Sequence, residues 1–288
     1  MDCAASGRVV LVGAGPGDPE LITRRGLRWL QRAEVVVYDQ LVSPVLLDEA
    51  PPDALRIFAG KSSGNHCMPQ AAINALLVRH ALAGRLVVRL KGGDSFVFGR
   101  GGEEVQACIA AGVPFDLVPG VTAAVAVPAA AGIPVTHRGV ASSFAVVTGH
   151  EDPSKPDGHV DWVRLAGAVD TIVVLMGTAA LPEIVRRLLA AGRDSATPAA
   201  VIRRGTTDAE EVVTGTLADI ARRAAHLSPP CTIVIGEVVR LRRARRGADV
   251  EATTQRAEGN RGGRFSRIAA APSRTSSSMN VSISSAMD

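Results

Sequence analysis

Aromatic side chains are close to absent: six Phe, two Trp and one Tyr make up 3% of 288 residues, although apolar residues as a whole reach 47%. The core must therefore be filled by Ala, Val, Leu and Ile, the composition of parallel strands buried on both faces. Cysteine is limited to Cys3, Cys67, Cys108 and Cys231, scattered and without a C-x-x-C. That spacing argues against a disulfide framework or a metal site, and for reduced thiols in a cytoplasmic enzyme. Long hydrophobic runs are missing as well. The longest weakly polar stretch, 121–135, is shorter than the roughly 18 residues a membrane span requires, and Pro128, Gly132 and Pro134 interrupt it. Residues 1–7 have none of the basic character of a secretory leader.

A consistent positive charge is lacking where a polybasic nucleic-acid binder would need it. The net +4 comes from residues 241–288, with nine arginines against four acids, whereas residues 1–240 hold 23 basic and 24 acidic groups. Only Lys61, Lys91 and Lys155 are lysines; the other basic residues are arginine, the better bidentate partner for carboxylates. Residues 244–288 are rich in Arg, Ser, Gly and Ala with little apolar periodicity. They cannot bury enough surface to offset ordering entropy and are expected to form a disordered tail. Docking of that tail on nucleic acid is the other reading, and the near-neutral remainder of the chain weighs against it.

What the chain does have is glycine at strand ends. An apolar strand at 86–90 runs into Gly92-Gly93-Asp94, then into a second glycine cluster at 99–102, and then into a helix opened by Glu103 and Glu104. Five glycines in the eleven residues 92–102 make a surface rather than a core. Backbone without Cβ atoms can approach a ligand closely, so such a strand end marks the edge of a small-molecule site in an open α/β sheet.

The rest of the chain alternates in the same way. Strands are expected at 9–12, 35–38, 55–58 and 115–118, with helices at 21–32, 44–49, 70–83 and 103–111 between them. An alanine-rich helix follows Thr122, in a passage with Pro114, Pro119, Pro128 and Pro134 that reads as a hinge. A second series follows, with strands at 143–148, 171–176, 199–203, 211–214 and 232–239. Its last strands lie close together in sequence, so the second sheet is expected to be mixed. The division is 1–118 for an N-terminal α/β domain, 119–136 for the hinge, 137–243 for a C-terminal α/β domain and 244–288 for the tail.

GAGPGD at 13–18 sits where a dinucleotide fingerprint would, and Asp39 ends the second strand, where a ribose-binding acid belongs. The fingerprint needs a third glycine, yet the chain has Asp18 there and Pro16 stiffens the loop. A nicotinamide-dependent oxidoreductase is therefore the weaker reading, beside a tight turn with Asp18 capping the next helix and a ligand-facing loop. Arg100 lies among glycines with no apolar surface to cover. Glu103 and Glu104 also suit a helix N-terminus on macrodipole grounds alone.

Taken together, GAGPGD, VVVYDQLV, GK at 60–61, RLKGGDSFVFGRGGEE, VPGVTAA, GIPVTHRG, VVTGH, VVLMG, RRGTT and IVIGEVV follow the order and spacing of the tetrapyrrole methylase family. The resemblance spans about residues 8–240. It implies an α/β fold of two domains, each a sheet flanked by helices, with the active site in the inter-domain cleft, and a homodimer. The implied activity is S-adenosyl-L-methionine-dependent C-methylation of uroporphyrinogen III at C2 and C7, through precorrin-1 to precorrin-2, in sirohaem- or cobalamin-type synthesis. A family member acting on a later precorrin is the alternative.

By the same resemblance Pro16, Gly92, Gly93, Asp94, Val97, Thr122, Ala123, Met176 and Gly205 would bind the cofactor. Asp39 and Lys61 match a proton acceptor and a donor. Arg100, Glu103, Arg138 and His150 match positions around the substrate, and Arg100 competes with Asp39 for the role of base. Ser95 replaces the usual proline after Gly-Gly-Asp. The usual glutamine-bearing segment after Gly205 reads Asp208-Ala-Glu-Glu211. No metal, membrane or nucleic acid is implied.

Overall fold

A computed structural model describes residues 7–60, 68–150 and 160–242. Ten strands form two five-stranded sheets. The first contains β1 (Arg8–Gly13), β2 (Val35–Tyr38), β3 (Leu55–Phe58), β4 (Leu86–Lys91) and β5 (Phe115–Val118). These pair in the order β3-β2-β4-β1-β5, all in parallel. Between them run α1 (Arg24–Leu30), α2 (Pro44–Asp48), α3 (Gln70–Leu82) and α4 (Gly101–Ala110).

The valine-rich runs form buried strands because β-branched side chains pack well on a pleated surface covered on both sides. Successive residues alternate between two cores. Val10, Val12, Val36, Val88 and Leu90 pack with Leu30 and Leu46 on the α1 and α2 side. Val9, Leu11, Val35, Val37 and Val87 pack with Ile73, Leu77 and Cys108 on the α3 and α4 side. Each such side chain contributes roughly 1.5–3 kcal/mol on burial.

The second sheet contains β6 (Phe144–Thr148), β7 (Thr171–Leu175), β8 (Pro198–Arg203), β9 (Glu211–Thr216) and β10 (Cys231–Ile235). Its order is β6-β7-β10-β8-β9. It is mixed: β6 and β7 are parallel, and the remaining pairs are antiparallel. With it go α5 (Ala123–Ala130), α6 (Trp162–Ala168), α7 (Leu181–Ala190) and α8 (Ile220–Arg223). Residues 119–136, expected as a hinge, carry α5. Its Val127, together with Ala131 and Ile133, packs against Ala200, Ile202 and Val234 on one face of the second sheet and against Val238 just beyond it.

Two expected elements differ most in extent. The helix expected at 21–32 is a 3-10 turn, Pro19–Leu21, followed by α1, because two caps compete for the segment: Asp18 accepts from Glu20 N and Thr23 from Gly26 N. The strand expected at 232–239 stops at Ile235. There Gly236 takes φ 148° and a Cβ would lie 2.6 Å from the Asp170 carbonyl, which turns the chain into a 3-10 helix, Glu237–Leu241.

Candidate functional site

The order of the first sheet sends the connection after β1 one way and the connection after β4 the other. The carboxyl ends of these neighbouring strands therefore form a topological switch point, where open α/β sheets bind ligands. Both ends are glycine loops, and they pair directly. Gly93 N donates to Gly15 O at 2.7 Å, Gly15 N to Gly93 O at 3.3 Å, and Ala14 N to Lys91 O at 2.7 Å. The loop after β5 closes on both. A Cβ on Gly120 would lie 2.2 Å from Gly93 O and 2.6 Å from Gly13 Cα, distances that no side chain tolerates.

Asp94 fastens this junction. One carboxylate oxygen accepts from Gly120 N at 2.9 Å and the other from Phe96 N at 2.8 Å. Val97 N donates to Asp94 O, and Thr122 caps α5 through Ala124 N. The contacts continue into the second sheet. A Cβ on Gly205, after β8, would meet the Val127 side chain of α5 at 2.3 Å, and Thr206 Oγ1 accepts from Asp18 N at 3.1 Å. The loops after β1, β4, β5 and β8, with α5, therefore make a closed ring. Pro16, Gly92, Gly93, Asp94, Val97, Thr122, Ala123 and Gly205 all lie on it. Met176 does not enter these contacts. It sits in the left-handed region at φ 56° and half exposed at the end of β7, beside the β6 end that carries His150.

The ring's first loop does not have dinucleotide geometry. Asp18 caps a short 3-10 turn, and the α-helix begins only at Arg24, so the N-terminus of α1 does not meet the glycines of this loop.

Asp39, at the end of β2, is half-buried. It accepts from Leu41 N at 3.0 Å and from Gly92 N at 3.4 Å, next to the ring. Arg100 takes φ 58° as the residue before α4 and forms a bidentate pair with Glu103, Nε to Oε1 at 2.7 Å and Nη2 to Oε2 at 2.8 Å. Both are about half exposed. Arg138 and His150 are exposed. Lys61, the tail from 244 and the cysteines at 3 and 67 lie outside the described residues.

Sequence reasoning missed a charged cluster beneath the ring. Arg89 and Lys91 continue the inward face of β4 that Val87 begins, and both are buried. Glu104, which in sequence suits a helix N-terminus as well as a substrate-facing edge, is fully buried. Its Oε1 accepts from Arg89 Nε at 3.0 Å, Lys91 Nζ at 2.9 Å and Gln70 Nε2 at 3.3 Å. Arg89 also donates to Val37 O and lies 4.0 Å from Asp39. Burial, reinforced by Arg89, lowers the Lys91 pKa despite the Glu104 carboxylate. The available signal was Arg89 and Lys91 themselves, two charges alternating inward on a strand otherwise made of Val and Leu.

Ser95 has a buried hydroxyl without a hydrogen-bond partner. Ser95→Ala removes a stranded polar group, so stability is expected to hold or to rise by up to about 1 kcal/mol. A urea midpoint lower than the parent's would show that the hydroxyl has a partner after all.

The fold is that of a two-sheet α/β protein, and the ring that joins its loops is built chiefly from backbone. The chain belongs to the tetrapyrrole (corrin/porphyrin) methylase family, which residues 8–221 match. It is 52% identical over 237 residues to the uroporphyrinogen-III C-methyltransferase of Methanocaldococcus jannaschii, covering 81% of this chain and 97% of that one. It is 53% identical over 238 residues to siroheme synthase 2 of Aeromonas hydrophila, covering 82% of this chain and 50% of the relative. The chain thus spans about half the length of the siroheme synthases it matches. The crystal structure of a Thermus thermophilus uroporphyrin-III C-methyltransferase complexed with S-adenosylhomocysteine superposes with a TM-score of 0.71 at 44% identity, over 82% of this chain and 100% of that one. Among the described residues, no helix is long and apolar enough to cross a membrane.

Proposed function

We propose that this chain methylates uroporphyrinogen III at C2 and C7, using S-adenosyl-L-methionine as donor, to give precorrin-2 by way of precorrin-1. The observation that carries the reading is the closed ring of loops, on which almost all the positions matching the family's cofactor residues meet. The chain's match to nearly the full length of a relative with that named activity supports it. Residues 1–118 and 137–243 would act as two domains joined through 119–136, with the reactants between them. The same reading implies a cytoplasmic homodimer serving sirohaem or cobalamin formation.

The ring suits such a donor. Half-buried glycine backbone at Gly92 and Gly93 accepts close approach, and Pro16, Val97 and Ala123 offer apolar contact. When bound, S-adenosylmethionine supplies an already activated methyl group, so no covalent enzyme intermediate is needed. The chain's contribution is alignment of the two reactants. Asp39, held by two backbone N–H groups at the ring's edge, takes the proton released from the macrocycle once a ring carbon has been methylated. Lys61 matches the position of a proton donor in the family. Arg100, oriented by its fork with Glu103, faces the substrate's carboxylates together with Arg138 and His150, while Phe96, Phe98 and Leu41 present exposed apolar surface to the macrocycle.

The test is an anaerobic incubation of purified protein with S-adenosylmethionine and uroporphyrinogen III, followed by mass. Products heavier by one and then two methyl groups are expected. Methylation of a later precorrin in preference would move the chain to another step of corrin synthesis. Binding of NADH without binding of S-adenosylhomocysteine would overturn the methyltransferase reading.

A further inference from the structure

The loop after β8 is held in an uncommon shape. Arg204 has φ 45° and Thr206 φ 70°, on either side of Gly205. A β-branched residue in the left-handed region is strained and persists only where its surroundings hold it. Here they do. Thr206 N donates to Glu210 Oε2 at 3.0 Å, Thr207 Oγ1 to Arg204 O at 2.7 Å, and Arg204 N to Pro230 O at 3.0 Å. The strain gives Thr206 Oγ1 its direction: it accepts from Asp18 N at 3.1 Å, a bond from the first sheet's leading loop to the second sheet. Beside it, a Cβ on Gly17 would stand 2.8 Å from Thr207 Cγ2 and 3.1 Å from Thr206 Oγ1, so the two loops are in direct contact.

We propose that Thr206 is a positioning residue of the cofactor site. Its hydroxyl fixes the Pro16-Gly17 turn against Gly205, holding the ring's two opposing edges at one spacing. Glu210 keeps Thr206 in the conformation this requires. The bond to Thr206 N needs only an oxygen acceptor, which the Glu210 carboxylate supplies. The inference rests on the reading that the ring binds the methyl donor.

The test is calorimetric titration of S-adenosylhomocysteine into the parent, Thr206→Ser, Thr206→Val and Thr206→Gly, with a thermal melt of each. Thr206→Ser keeps the hydroxyl and is expected to bind within about threefold of the parent. Thr206→Val leaves Asp18 N without its acceptor and is expected to weaken binding about ten- to hundredfold. Thr206→Gly relieves the left-handed strain, so it is expected to melt no lower than the parent while binding as weakly as the valine variant. A purely structural threonine would shift the melt and leave affinity alone. If the parent binds and the folded valine and glycine variants bind as tightly, the positioning role is wrong and the donor reading stands. If the valine variant does not fold, the glycine variant decides alone. If the parent itself does not bind, the donor reading fails and the positioning role fails with it.

Discussion

Glu104→Gln is expected to destabilise the protein by about 3–5 kcal/mol, because it leaves Arg89 and Lys91 buried without their shared anion. In a folded part of this size that corresponds to a fall in Tm on the order of 10 °C. The deficit should also depend on pH in a defined direction. Asp39, Arg89, Glu104 and the Cys108 thiol are the ionisable groups that bear on Lys91 or on its partner Glu104.

Because burial and Arg89 hold Lys91 below its ordinary value of 10.5, the unfolded chain binds more protons than the folded one between the two values. Stability therefore rises with pH across that window. Glu104 supplies the two strongest influences that raise the Lys91 pKa, so removing it extends the window downward. The variant is expected to recover part of its loss as pH is raised from neutrality toward 9.0, above which the thiol, pushed up from that value by burial and Glu104, counts in the opposite sense. Melts at both pH values decide it. A deficit below about 1 kcal/mol, or one that grows with pH, would mean that the cluster is not held by the Glu104 charge.

Gly120→Ala is expected to abolish cofactor binding, weakening affinity for S-adenosylhomocysteine by about a hundredfold or more. The added methyl would overlap the Gly93 carbonyl and the Gly13 backbone, none of which can rotate away as a side chain would. The loops after β1, β4 and β5 would have to separate, and the Asp94 bond to Gly120 N with them. Calorimetry on the variant, after circular dichroism has shown it folded, is the measurement. Affinity within about threefold of the parent would show that the interlock is not what shapes the site. Gly102→Ala is the matched control, since a Cβ there meets nothing within 4 Å.

Much of this ring of loops was legible in the chain because its parts are local. A strand that ends in Gly-Gly-Asp, a loop that reads Gly-Ala-Gly-Pro-Gly-Asp and a helix opened by Gly-Gly-Glu-Glu each carry backbone requirements in their own residues. Glu104 was misjudged for the opposite reason. In sequence it is indistinguishable from Glu103, but on α4 the two side chains point differently: Glu103 outward to Arg100, Glu104 inward to β4. Thr206 was invisible in the same way, since its partner Asp18 lies 188 residues away.

The sequence alone determined the alternation of strands and helices, the mixed second sheet and the loops with special backbone needs, all of which follow from periodicity of two or 3.6 and from glycine. Only the tertiary structure decided that four of those loops close into one ring, that Asp94 fastens backbone at both of its oxygens, and that two charges on an apolar strand share one buried acid. The physical reason is range. Backbone propensity acts within a few residues, whereas burial of charge and contact of backbone on backbone exist only once distant segments have been packed together.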